Sequence, residues 1–197
     1  MNITDVREKT RIILGDVQES NATFSDEELD CHIQHALEIF SRYLPQEKSV
    51  EVATTPGSFE IGLPDDTDYI SIKAVEYPLG YFPPCWCSFT TWAGEITLLA
   101  QNVPEGEPAR INYTSNHVLD EAGSTISSAY SSLLAVGAAA LATFSEACET
   151  ANRVNSGGKD VSQRYLDWAK QKLNEYCEVL KRLARADKVK TNQLYIL

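Results

Sequence analysis

The hydrophobic period of this chain changes twice, and those changes decide what it can fold into. From Ile3 to Leu44 apolar residues recur at helical spacing; from Lys48 to about Ser115 they alternate with polar ones, in runs separated by Pro and Gly. Beyond Asn116 the helical spacing returns. Periods of about 3.6 and 2 belong to helix and strand, and exchanging them would turn half the apolar side chains to water. The expected class is α+β: a bundle of about four helices, a β-rich insertion between helices 2 and 3, and an extended C-terminal arm. The boundaries read as 1–47 for an N-terminal helical pair, 48–115 for the insertion, 116–185 for a C-terminal helical pair completing the bundle, and 186–197 for the arm.

Start and stop signals sharpen the helices. Ile3, Val6, Thr10, Ile13 and Leu14 share one face, and Gly15 is a natural stop. Ser25-Asp26-Glu27-Glu28 is a capping box, flanked by Phe24 and Leu29 as a hydrophobic staple. Leu29, Ile33, Ala36, Leu37, Phe40 and Leu44 continue that second helix to Pro45. Leu133, Val136, Gly137, Ala140, Leu141, Phe144 and Cys148 mark a third helix, with a Gly137 to Ala140 stretch of nearly all small residues. After Asn155-Ser156-Gly157-Gly158, Asp160 with Gln163 is a second capping-box candidate. Val161, Tyr165, Trp168, Ala169, Leu173, Tyr176, Leu180 and Leu183 then stripe a long fourth helix.

In the middle, Val50 and Val52, the turn signal Pro56-Gly57, and Phe59 and Ile61 predict a hairpin. Further strands are expected over 69–77, 95–100 and 109–114. The aromatic stretch from Leu79 to Cys87 reads as a loop packed on the sheet or as an exposed contact surface. The tail ends Leu194-Tyr195-Ile196-Leu197 after a charged stretch, which suits either a disordered end or an arm that adds a strand or an apolar plug to a neighbour.

Charge separates along the chain. Of 17 basic and 28 acidic residues, nine basic and five acidic lie in 159–197, a net of +4; the remaining 158 residues hold eight and 23, a net of −15. The overall −11 argues against a general nucleic-acid binder. A basic end on an acidic body suggests head-to-tail contact between copies or docking on another acidic surface, although a long solvated helix rich in Lys and Arg explains the same numbers. Met1-Asn2-Ile3-Thr4-Asp5 lacks the features of a secretory leader, so the five cysteines are expected reduced in a cytosolic compartment. The most apolar run, Leu133 to Phe144, is short for a membrane span, and a soluble protein is expected.

Signals for chemistry are sparse. Cys31, His32 and His35, with Cys85 and Cys87, are the only plausible metal ligands, and they lack the paired spacing of a zinc site. Asp65, Asp66 and Asp68 read as a solvated turn rather than a calcium loop. No phosphate-binding loop, nucleophile elbow or zinc-protease motif occurs. Trp86, Trp92 and Trp168 are not interleaved with cations as in single-strand binders, and core positions are expected for them. The expectation is a non-enzyme without cofactor or metal.

Three stretches resemble the head–tail connector (adaptor) proteins of tailed bacteriophages. Arg11-Ile12-Ile13-Leu14-Gly15-Asp16, Phe24-Ser25-Asp26-Glu27-Glu28-Leu29 and Phe40-Ser41-Arg42-Tyr43-Leu44-Pro45 are similar to their N-terminal helical pair. Leu63-Pro64-Asp65-Asp66 and Ile111-Asn112-Tyr113-Thr114 with His117 resemble the β insertion of some members. Leu134-Ala135-Val136-Gly137-Ala138-Ala139-Ala140-Leu141 resembles their small-residue helix.

The resemblance implies a homo-oligomeric ring, expected to be dodecameric, beneath the portal protein. Such a ring extends the DNA channel without binding DNA specifically and docks the next neck or tail protein. It also implies a virion location after assembly in the host cytoplasm, with no membrane partner. The subunit-contact residues would be Gly137, Ala140, Leu141 and Phe144; the portal-binding arm would carry Lys188, Lys190, Leu194, Tyr195, Ile196 and Leu197. The alternatives are a stopper-type or tail-completion protein, or a small ligand-binding module using the loop from Tyr81 to Trp92.

Overall fold

A computed structural model describes residues 1–17, 22–64, 68–151 and 161–191. The chain is mixed α+β, with four α-helices and two small antiparallel sheets among the described residues. It divides into two compact units: Met1–Leu44 with His117–Leu197, and Pro45–Asn116.

The helical unit starts with α1, Ile3–Leu14, and α2, Asp26–Tyr43. Asn2 caps α1 in a reciprocal box with Asp5, and Gly15 closes it in the left-handed conformation, φ 70°. Ser25 and Glu28 form the expected box on α2. After a 3-10 turn at Ser128–Tyr130 come α3, Ser131–Ala151, and α4, Val161–Thr191. Ile3, Val6, Ile33, Phe40, Leu134, Ala138, Tyr176 and Leu180 fill one core, joined by Leu119 and Ile126 from the preceding loop. That loop is tied down: Asp120 accepts the Ile3 N–H at 2.9 Å, and Gln34 donates to the Leu119 carbonyl at 2.8 Å.

Two helices differ from expectation. On α3 Leu134, Ala135, Ala138, Ala139 and Ala142 are buried beside Gly137 and Ala140 of the expected stripe, while Phe144 and Cys148 of that stripe are exposed. The helix is apolar nearly all round because it packs on α1, α2 and α4, so its period marks no single face. The helical stretch Ser128–Thr150 is 23 residues long and contains an 18-residue segment of mean hydropathy 1.4, long and apolar enough to cross a membrane by those two measures; 61% of that segment is buried within the chain. The other difference is α4, which continues to Thr191, past residue 186 where an extended arm was expected. Nothing in residues 181–190 breaks a helix: apart from Asp187 and Val189 they are Ala, Leu, Lys and Arg, without Gly or Pro.

In the β unit, β1 (Gln46–Ala53), β7 (Pro108–Ser115), β3 (Ser71–Glu76) and β4 (Trp86–Cys87) make a sheet in the order β1-β7-β3-β4. A second sheet runs β2-β6-β5, from Glu60–Gly62, Glu95–Leu98 and Phe89–Trp92. The expected hairpin of β1 with β2 does not form. The eight residues of β1 find a full-length partner in β7, from Gln46 opposite Ser115 to Ala53 opposite Pro108, whereas three-residue β2 pairs with β6. Pro56-Gly57 turns the chain between sheets, and Gly57 donates to the Pro104 carbonyl. Ile61, Ile96 and Leu98 from one sheet and Val75, Ala109 and Ile111 from the other share one core. The ladder sets Glu51, Arg110 and Glu76 in a row, and Arg110 bonds both carboxylates, at 2.8 and 3.0 Å.

Candidate interaction surface

The β5–β6 hairpin turns through Ala93-Gly94, both at positive φ, 50° and 87°, as a two-residue turn requires. Successive strand residues face opposite sides. Phe89 therefore packs on the core, and Trp92, three residues on, points away and is 86% exposed. Ahead of β4, Tyr81 is exposed and Phe82 is 98% exposed; Trp86, Leu99 and Val103 add further uncovered apolar surface. Trp86 and Trp92, expected in the core, thus lie outside it, because β4 and β5 are short edge strands with one face toward solvent. Trp168 on α4 is half-buried.

Nearby polar groups are engaged. The Tyr77 hydroxyl donates to Glu107 at 2.9 Å, and Glu107 also accepts the Glu105 N–H. Burial, then this carboxylate, pushes the Tyr77 phenol up to about 12, while the backbone N–H groups hold Glu107 below the usual carboxylate range.

In the helical unit, a groove of about 570 Å³ is lined by Phe24, Glu27, Glu28, His32, Glu146 and Glu149, among others, with no Lys or Arg. Burial, then neighbouring His35, lowers the His32 pKa; its ring meets Phe24 edge-on at 6.5 Å. Among the described residues no three His, Cys, Asp or Glu side chains gather as a metal site needs. All five cysteines are free, with Cys31, Cys85 and Cys148 exposed.

The expected contact residues separate. Gly137 and Ala140 are buried within the chain, Leu141 is half-buried and Phe144 is 42% exposed. The close approach that Gly137 allows is used by Tyr176 of the same chain, whose ring atoms lie 2.9 Å from where a Cβ would stand. Lys188 and Lys190 fall on the helical backbone of α4; Leu194, Tyr195, Ile196 and Leu197 lie outside the described residues, as do Asp65, Asp66 and Asp160.

Sequence reading missed the joint between α1 and α2. Arg7 grips Asp30 through two bonds, 2.8 and 2.6 Å; Arg11 reaches Asp16 at 2.9 Å, Asp26 at 2.7 Å and the Phe24 carbonyl at 3.0 Å. The Arg7-x-x-x-Arg11 spacing, one helical turn, was the available signal.

These units define a small α+β chain whose most exposed aromatic side chains among the described residues, Tyr81, Phe82 and Trp92, are carried on its β unit, while the helical unit exposes Ile12, Val17, Phe144 and Tyr165. No protein-family model matches the chain, and a search of curated proteins finds no match either.

Proposed function

We propose that this chain is a structural subunit of a tailed-bacteriophage neck, a head–tail connector or adaptor. Copies form a ring, taken as dodecameric, beneath the portal. The ring extends the DNA channel and presents a docking surface to the next neck or tail protein. In this reading the helices make a bundle, the β unit is an insertion between its second and third helices, and the working principle is interface geometry rather than catalysis. The subunit belongs to the virion neck after assembly in the host cytoplasm.

One observation carries this reading: the β unit holds Tyr81, Phe82 and Trp92 in water, 62%, 98% and 86% exposed, the most exposed aromatic side chains among the described residues. Large apolar side chains held in water suit a surface that another protein covers. The resemblance of the three sequence stretches supplies which assembly, and the net charge of −11 suits a channel that repels phosphate. The test is the solution mass of the purified chain across concentrations, with and without portal rings. A closed ring, or assembly only on portal, is expected; a monomer indifferent to portal at every concentration overturns the proposal.

A further inference from the structure

Four strands of the β unit lie at sheet edges: β1 and β4 in one sheet, β2 and β5 in the other. An uncovered edge is a template for a further strand, and proteins blunt such edges with charge or brevity. β1 carries Glu47, Lys48 and Glu51; β2 is three residues including Glu60 and Gly62; β4 is two residues. β5 is the exception. Phe89-Thr90-Thr91-Trp92 has no charge and only β-favouring residues, and its last three are exposed.

The chain also holds a segment of matching chemistry. Leu194-Tyr195-Ile196-Leu197 is as long as β5 and equally free of charged side chains, and its Tyr195 and Ile196 favour a strand. It follows a basic stretch: residues 181–190 contain Lys181, Arg182, Arg185, Lys188 and Lys190 against Asp187 alone, a net of +4. Lys181, Arg182 and Arg185 stand exposed on α4. The β unit, 45–116, holds three basic and ten acidic residues, a net of −7. An uncharged strand former behind a cationic helix end thus complements an uncharged strand edge on an anionic unit.

We propose that the segment 181–197 of one copy docks on the β unit of a second copy, Leu194 to Leu197 adding a strand along β5 while the basic end of α4 meets that unit's carboxylates. Each copy then offers one donor and one acceptor. Such a heterologous contact repeats around a ring, so this inference rests on the ring reading and names the surface that would build it.

The test separates the two. A labelled peptide of residues 181–197 is titrated with the chain truncated after Thr191, and the full chain is weighed in solution alongside. Saturable binding is expected, weakened on the order of 30-fold by Trp92→Ser and several-fold by raising salt from about 50 to 300 mM. Thr90→Lys, which places a cation on the edge, is expected to act in the same direction. Both substitutions are at exposed positions and should leave the melting temperature within about 2 °C. The full chain should self-associate over the concentration range in which the peptide binds. No binding, or equal binding to Trp92→Ser, overturns the docking and leaves the ring to be judged by assembly on portal. Peptide binding with a full chain that stays monomeric above that range places the segment on its own copy and overturns the second-copy assignment. Peptide that binds portal rings and not the truncated chain assigns the segment to the portal instead.

Discussion

At the scale of single residues, Gly137 shows how packing reverses a propensity. On an exposed helix, Gly→Ala stabilises by about 0.5–1 kcal/mol. Here the new methyl would stand 2.9 Å from two ring atoms of Tyr176. That ring cannot swing aside: it is fully buried, and its hydroxyl donates to the Ala36 carbonyl at 2.8 Å. Gly137→Ala should therefore destabilise by about 1–3 kcal/mol in denaturant unfolding. In a Tyr176→Leu background the penalty should largely vanish. Ala93 is the opposite case, a β-carbon at φ 50° in a two-residue turn. Ala93→Asn, giving Asn-Gly, should raise stability by about 0.5–1 kcal/mol, read as a higher melting temperature. Sequence reading saw that α3 needs small residues, and it placed Tyr176 on the α4 stripe. It could not see that one answers the other across about 40 residues, because the clash exists only once both helices are placed.

At the scale of elements, α1 and α2 are joined by two arginines and three aspartates as well as by apolar burial. Arg7 is 15% exposed and bidentate to Asp30, so Arg7→Ala should cost about 1–2 kcal/mol in denaturant unfolding. The Arg11 guanidinium holds Asp26 below the usual carboxylate range, and the Ser25 N–H does the same for Glu28. With folded pKa values lowered, the unfolded chain takes up protons first as pH falls. The stabilisation is complete well above the ordinary pKa of about 4 and is lost on acidification through and below it. The melting temperature should fall between pH 6 and 3, and Arg11→Gln should flatten that fall; an unchanged slope would remove Arg11 from the joint. The helices were legible because caps and stripes are local. Strand partners were not: β1 pairs with β7 some 60 residues away, and alternation marks a strand without saying what lies beside it.

At the scale of the whole molecule, each unit closes on itself. In the helical unit, His117 donates its N–H to the Ser41 hydroxyl at 3.0 Å and sets its ring against Phe40 at 5.6 Å. The chain therefore re-enters that unit next to where it left, at Leu44. Replacing residues 45–116 with a short Gly-Ser linker should leave a helical protein with a cooperative thermal transition, measured by circular dichroism. A chain that loses its cooperative transition would show that the β unit is needed for the helical core. The period change made a mixture of helices and strands readable; the aromatic surface was readable only as one of two choices, because composition does not say which side of a short strand faces water.

The pairing of β1 with β7 has a consequence for heredity. The first and last strands of the 45–116 unit run side by side, Gln46 opposite Ser115, so the entry and exit of the segment are a single doorway. Gain, loss or exchange of such a segment disturbs the rest of the fold at one place only, because both junctions fall at neighbouring points. Descendants of this chain can thus keep their helices under one selection while the β unit drifts or is swapped under another, set by whatever it must touch.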